Sequence, residues 1–193
     1  MNGQKSNASY YFRICFSLLV IASVMALLLA VFNSLTKDKI EENTRNEINA
    51  TVKAIFSDYG DSVKTEVPDI SPDENSSVEE FYTVKVEDVI IGYVAICEPT
   101  GFKDVIKMAV GISENGEVRE VKIISLSETP GVGAKVSEEA FLSEFKSEKG
   151  ALKVDKDGGT IDAISGATIS SRAVTLGVND ALEFSEKVIG GQK

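Results

Sequence analysis

The chain has 193 residues, and its 30 acidic side chains outnumber 20 basic ones, for a net charge of −10. That balance argues against nucleic acid as a partner, because a polyanion is held through clustered Lys and Arg. There is no histidine, and the two cysteines, Cys15 and Cys97, lie far apart in sequence. The usual zinc, haem and thiol-redox ligand sets are therefore missing, Ser-His-Asp and Cys-His pairs are excluded, and redox chemistry would need an organic cofactor.

Residues 14–32, ICFSLLVIASVMALLLAVF, carry no charge. As a helix they rise roughly 28 Å, near the hydrocarbon thickness of a bilayer, so the run is expected to span a membrane. Tyr10, Tyr11 and Arg13 suit the headgroup level, where a ring or a cation can keep one end in water. A cleaved signal peptide would share the basic start and the small Ala22 and Ala30. The run is long for such a segment, however, and no clean A-x-A site follows it, which favours an uncleaved anchor. Charge does not decide orientation: Lys5 and Arg13 precede the run, while Lys37, Lys39 and Arg45 follow it among Asp38, Glu41 and Glu42. The short N-terminal tail fits a signal anchor, with the larger part of the chain on the extracytoplasmic side of the cell membrane.

Beyond the anchor, Leu35, Ile40, Ile48, Val52 and Ile55 recur at helical spacing, predicting a stalk that continues the membrane helix over residues 34–57. Residues 69–80, with Pro72 inside, Pro68 just before and the run DENSS, read as a loop. Strands are expected at 82–86, 89–96, 106–112 and 118–124. The last two are joined by Glu114-Asn115-Gly116, whose Asn-Gly pair tolerates positive φ and predicts a hairpin. Ser137 is expected to cap a short helix bearing Phe141, Leu142 and Phe145 on one face, with Glu138 and Glu139 in its first turn. A final helix over 170–188 turns Val174, Val178, Ala181, Leu182 and Phe184 toward a core. The expected organisation is a tail and anchor (1–33), a stalk leading into the soluble part (34–68), and a main domain (69–193). The fold class is α+β: one transmembrane helix, then a mainly antiparallel sheet with flanking helices.

Between Gly158 and the last helix stands Asp162-Ala163-Ile164-Ser165-Gly166-Ala167-Thr168-Ile169-Ser170-Ser171, small and hydroxyl-bearing residues that run into a helix start. The first N–H groups of a helix have no internal acceptors and the helix dipole adds positive charge, so a phosphate can be held there without Lys or Arg. Residue type alone also allows the Ser and Thr to be plain N-caps. Upstream, Glu128-Thr129-Pro130-Gly131-Val132-Gly133 reads by itself only as a turn following a strand.

Together these two segments resemble the FMN-binding domain family. The first is similar to its flavinylation motif, D-x-x-[ST]-G-A-T-x-[ST]-S, and the second to its E-T-P-G-[LV]-G loop. The similarity extends over roughly residues 82–185, with Gly101 and the segment 105–112 included; it departs at Lys103-Asp104. The resemblance implies one FMN per chain, joined through its phosphate to the Thr168 hydroxyl, with Ser165, Gly166, Ala167 and Asp162 forming the attachment segment. It also implies that Glu128, Thr129, Gly131 and Val132 lie beside the flavin ring, donating hydrogen bonds from the loop's N–H groups and the Thr129 hydroxyl and packing Val132 on it. With no histidine to activate Thr168, attachment needs a separate enzyme, which the resemblance identifies as a Mg²⁺-dependent flavin transferase using FAD and releasing AMP.

The short chain and single N-terminal helix are most similar to the G subunits of the Rnf complex, the ion-translocating ferredoxin:NAD oxidoreductase. That likeness implies an electron-relay subunit without an active site for a diffusible substrate. Its implied partners are the other Rnf membrane subunits, including a second covalent-FMN subunit and subunits carrying an iron–sulfur centre. The similar C subunit of the Na⁺-translocating NADH:quinone reductase is usually larger. A stand-alone flavin reductase and a non-redox extracytoplasmic domain are the readings from other classes.

Overall fold

The computed structural model describes residues 5–68, 72–73 and 75–191. By their internal contacts they form two compact units, one through Asn46 and one from Glu47 onward.

Helix α1 (Lys5–Ile55) covers the expected anchor and most of the expected stalk, its residues through Asn46 belonging to the first unit and the rest to the second. Its segment Tyr10–Leu35 is the one stretch among the described residues long and apolar enough to cross a membrane, with mean hydropathy 2.9. Its apolar side chains, Leu19, Leu27 and Leu29 among them, are exposed, as lipid-facing residues would be. The helix stays unbroken because it contains neither proline nor glycine over its whole length.

The second unit is built on a five-stranded antiparallel sheet: β1 (Lys64–Glu66), β2 (Val78–Val86), β3 (Val89–Cys97), β4 (Ile106–Ser113) and β5 (Val118–Leu126), in spatial order β1-β2-β3-β4-β5. Four of these strands fall where the sequence predicts them, and the β4–β5 turn holds Gly116 at φ 76°. The three-residue, fully exposed β1 has no apolar alternation to betray it. The β2–β3 hairpin turns on Glu87 (φ 49°) and Asp88 (φ 66°), both in the left-handed region that a two-residue hairpin of this hand requires. The outer edge of β5 is covered where Val118 and the segment at Ser147 and Glu148 exchange backbone hydrogen bonds.

Strand alternation gives the sheet two buried faces. On one, Tyr93, Ala95 and Cys97 of β3 and Ile106, Met108 and Val110 of β4 pack with α3 (Thr168–Gly191), whose Val174, Val178, Ala181, Leu182 and Phe184 are all buried. On the other, Val84, Val94, Ile96 and Ala109 pack with Ile48, Val52, Ile55 and Phe56 from the end of α1 and the residue after it. Two glycines make room for that contact. A Cβ on Gly92 would stand 2.8 Å from Phe56, and one on Gly111 would stand 2.3 Å from Ile55. Arg119 locks the junction: its Nε donates to the Ile55 carbonyl at 2.9 Å, its guanidinium pairs with Asp58, and it lies 5.0 Å from the Phe56 ring centroid.

Three expectations are corrected. The loop at 69–80 ends earlier, because β2 starts at Val78; Asp69, Ile70, Ser71 and Glu74 lie outside the described residues. Ser137 does not cap a helix: it closes the 3₁₀ turn Gly133–Ser137, its hydroxyl donating to the Ala134 carbonyl at 2.8 Å. The helix that follows, α2 (Glu139–Leu142), is one turn long, and Phe141, Leu142 and Phe145 are buried as expected. The last helix begins at Thr168, two residues before the expected start.

Phe56 is fully buried at this junction. Phe56→Ala is expected to destabilise the second unit by about 3–5 kcal/mol. Chemical unfolding of the full chain in detergent, followed by the β-sheet signal, checks this.

Candidate functional site

The segment leading to α3 is tied down before it reaches the helix. Leu152 exchanges two hydrogen bonds with the Asn179 side chain, at 2.8 and 2.9 Å, and Val154 bridges Ile161 in parallel. Asp155 Oδ1 accepts the Ala163 N–H at 3.0 Å, and Asp157 pairs with Arg172 through two bonds of 2.7 and 2.6 Å. The lysine hydrogen-bonded to Asp155 and the arginine hydrogen-bonded to Asp157 hold both exposed carboxyls below their ordinary range. The Ser171 hydroxyl then links both ends of the turn, accepting the Ile164 N–H at 3.1 Å and donating to the Ala167 carbonyl at 3.1 Å.

This turn delivers the chain to α3 with an unusual start. The cap position is Ala167, which has no side-chain acceptor, and Gly166 precedes it at φ 79°. The Ala167 N–H is satisfied by the Ile164 carbonyl at 2.9 Å and the Ser171 N–H by the Ala167 carbonyl at 2.9 Å. The N–H groups of Thr168, Ile169 and Ser170 are the ones an uncapped helix start leaves for a ligand. The plain N-cap reading of Ser165 and Thr168 fails here, since neither residue stands at the cap position.

Facing this helix start is the loop after β5. Gly131 (φ 75°) makes its turn, and the Thr129 carbonyl accepts the Val132 N–H at 3.2 Å and the Ala134 N–H at 3.1 Å. A third segment, at Gly101–Lys103, completes the assembly. Glu128 joins all three: it is only 5 % exposed, its Oε1 accepts the Phe102 N–H at 2.7 Å and the Lys103 N–H at 3.2 Å, and its Oε2 accepts the Ser170 hydroxyl at 2.9 Å. A glutamate just past a strand is ordinarily solvated, and those three donors hold this one buried instead. At Lys103-Asp104, where the motif departs, both side chains are exposed; the Lys103 N–H donates to Glu128 and Asp104 Oδ1 accepts the Val105 N–H at 2.8 Å.

Between the three segments lies a cleft of about 290 Å³ lined by Phe102, Glu128, Thr129, Val132, Gly133 and the residues from Gly166 to Ser170. Phe102, Val132 and Ile169 are exposed there, giving the cleft apolar walls, and its lining contains no Lys or Arg. Of the residues singled out from sequence, Thr168, Gly166, Ala167, Glu128, Thr129 and Val132 meet at this cleft, while Asp162, Ser165 and Gly131 stand exposed outside its lining. The Asp162 N–H is spent on Glu144, at 2.6 Å. Sequence reasoning missed Phe102 and Ile169 as walls. Isolated apolar residues in loops and at helix starts carry no periodic signal. The arrangement fits a flat aromatic group against apolar walls with its phosphate at the helix start.

Comparison with known proteins gives three findings. Residues 101–183 match the FMN-binding domain family. The G subunit of the Na⁺-translocating ferredoxin:NAD⁺ oxidoreductase complex of Acetobacterium woodii is 34% identical over 195 aligned positions, covering 92% of each chain. The corresponding subunit of the proton-translocating complex of Clostridium ljungdahlii is 37% identical over 118, covering 59% of this chain and 64% of that relative, so that alignment spans under two-thirds of its length. Among solved structures, NqrC of Shewanella oneidensis superposes with a TM-score of 0.50 at 19% identity, covering 63% of this chain and 67% of that one, a likeness of fold.

The packing around Glu128 leaves no room at its flanking glycine. A Cβ on Gly101 would stand 2.3 Å from Glu128 Oε1 and 2.9 Å from the Asp104 carbonyl oxygen. Gly101→Ala is expected to cost about 1–3 kcal/mol and to loosen the 101–104 turn. Hydrogen exchange of the Phe102 and Lys103 amides measures the loosening.

Proposed function

This chain belongs to the family of G subunits of ion-translocating ferredoxin:NAD oxidoreductase (Rnf) complexes, and we propose that it relays electrons there through one FMN joined covalently to Thr168. The observation that carries this reading is the uncapped start of α3, with Thr168 as its first residue, opening onto an apolar-walled cleft. When bound, FMN supplies one- and two-electron transfer at its ring.

The residues of the chain divide the remaining work. The N–H groups of Thr168, Ile169 and Ser170 hold the phosphate, while Val132, Phe102 and Ile169 shield the ring from water. The exposed Thr129 hydroxyl would orient its polar edge. Gly131 and Gly166 give the backbone the left-handed turns that bring the two motifs together.

Electrostatics supports a covalent bond. The cleft offers a phosphate only helix N–H groups and no basic side chain, and buried Glu128 stands in the same lining. Free FMN carries a phosphate approaching two negative charges, and helix N–H groups are what this lining offers to meet them. Esterification to Thr168 leaves one charge and replaces affinity by tethering, with an effective concentration on the order of millimolar for a short linkage. Because the sequence holds no histidine to activate Thr168, a flavin transferase with FAD as donor and AMP as leaving group makes the bond. The exposed Asp162 and Ser165 are what it recognises.

The membrane-length helix suits a single-pass subunit with its second unit on the extracytoplasmic side. A carrier tied to the bilayer meets only partners in the same membrane. Those partners are the other subunits of the complex, among them a second covalent-FMN subunit and subunits with an iron–sulfur centre.

Thr168→Val keeps the side-chain shape and removes the hydroxyl. In a host that makes the transferase, the wild-type chain should fluoresce under ultraviolet light on a denaturing gel, and the variant should be dark while keeping a cooperative unfolding transition. A variant that still fluoresces, with the flavin mapped to Ser170 or Ser171, contradicts the assignment.

A further inference from the structure

Glu128 does more than fasten loops. Its two oxygens accept hydrogen bonds from three donors and donate none, the pattern of an ionised carboxylate. Among the described residues it makes no ion pair, and at 5 % exposure it is largely shielded from solvent and mobile salt. The close approach of Gly101 and Gly133, where a Cβ would fall 2.3 and 2.6 Å from its oxygens, holds the carboxylate in place in the cleft lining.

We infer that Glu128 is the fixed negative charge that sets the reduction potential of the FMN held in this cleft, an inference that rests on the function proposed above. Reduction adds two electrons to the ring, with protons following from water, and dithionite can supply those electrons in a titration. A buried charge in the lining of the same cleft is weakly screened. It opposes the added electron density and lowers the potential. The N–H and O–H donors around Glu128 are neutral, so they do not cancel its charge as a lysine or arginine partner would.

Two substitutions separate charge from shape. Glu128→Gln keeps the side-chain length: its amide oxygen can accept both N–H groups, and its amide nitrogen can donate to the Ser170 oxygen, so only the charge is lost. Glu128→Asp keeps the charge but withdraws it from all three donors by one methylene. A purely structural role predicts the larger disturbance from Asp, whereas a charge role predicts it from Gln.

The test is a spectroelectrochemical titration of the full chain in detergent, produced with the flavin transferase. It reads only chains that carry flavin, so reduced occupancy does not obscure the result. Glu128→Gln is expected to raise the equilibrium constant for reduction at least tenfold, about 30 mV for a two-electron couple. Glu128→Asp is expected to stay within threefold of wild type while its Tm falls. Ser170→Ala, which removes one donor and leaves the charge, should titrate at or below the wild-type potential. An unmoved potential in Glu128→Gln overturns the inference, as does a shift in Glu128→Asp equal to that in Gln, or a tenfold rise in Ser170→Ala. A wild-type chain without covalent flavin overturns instead the function on which the inference rests.

Discussion

A helix whose cap position is an alanine begins with N–H groups that nothing local satisfies, and the rest of the second unit is arranged around that start. Ser171 folds back to fix the turn before α3, Asn179 grips Leu152, and Arg172 anchors Asp157, so the chain enters the helix on a rigid path. Side chains that would ordinarily cap a helix are turned to other tasks. Ser170 reaches Glu128 instead, and through it the loop after β5 and the turn at Gly101. The opening that remains is apolar at its walls and lined at one end by helix N–H groups. That combination suits a planar aromatic ring carrying a phosphate.

The sheet gives this site a firm base. One face carries α3 and the other carries the last two turns of α1, seated over Gly92 and Gly111. Arg119 clasps the end of α1 through the Ile55 carbonyl and Asp58. The same helix that supplies a membrane-length apolar segment thus contributes Ile48, Val52 and Ile55 to a buried core. Cys97 lies within the other core with its thiol pushed up by burial and by nearby Asp180, which leaves it inert.

Much of the fold is legible in the sequence because its signals are local. Runs rich in β-branched and apolar residues mark four strands, Asn115-Gly116 marks a hairpin, and the apolar spacing of Val174, Val178 and Leu182 marks the buried stripe of α3. The errors share a cause in competition between local and distant partners. Ser137 has the type of a cap, yet its hydroxyl finds a carbonyl three residues back. The start of α3 reads two residues late because Thr168 and Ile169, which open it, are β-branched and weaker helix formers. At the site, the motif residues are visible as a string, but the hub is not. Glu128 has the composition of a solvated residue, and its partners lie 26 and 42 positions away in sequence. Only the folded chain brings Phe102 and Ser170 to it.

The central claim is that the uncapped start of α3 carries FMN on its first residue. Tandem mass spectrometry of proteolytic peptides, from chain purified in a host with the flavin transferase, tests this at single-residue resolution. The account predicts that the peptide containing Thr168 is heavier by one FMN less one water, with fragment ions placing the addition on Thr168. An unmodified Thr168 peptide, or an addition on any other residue, would contradict it.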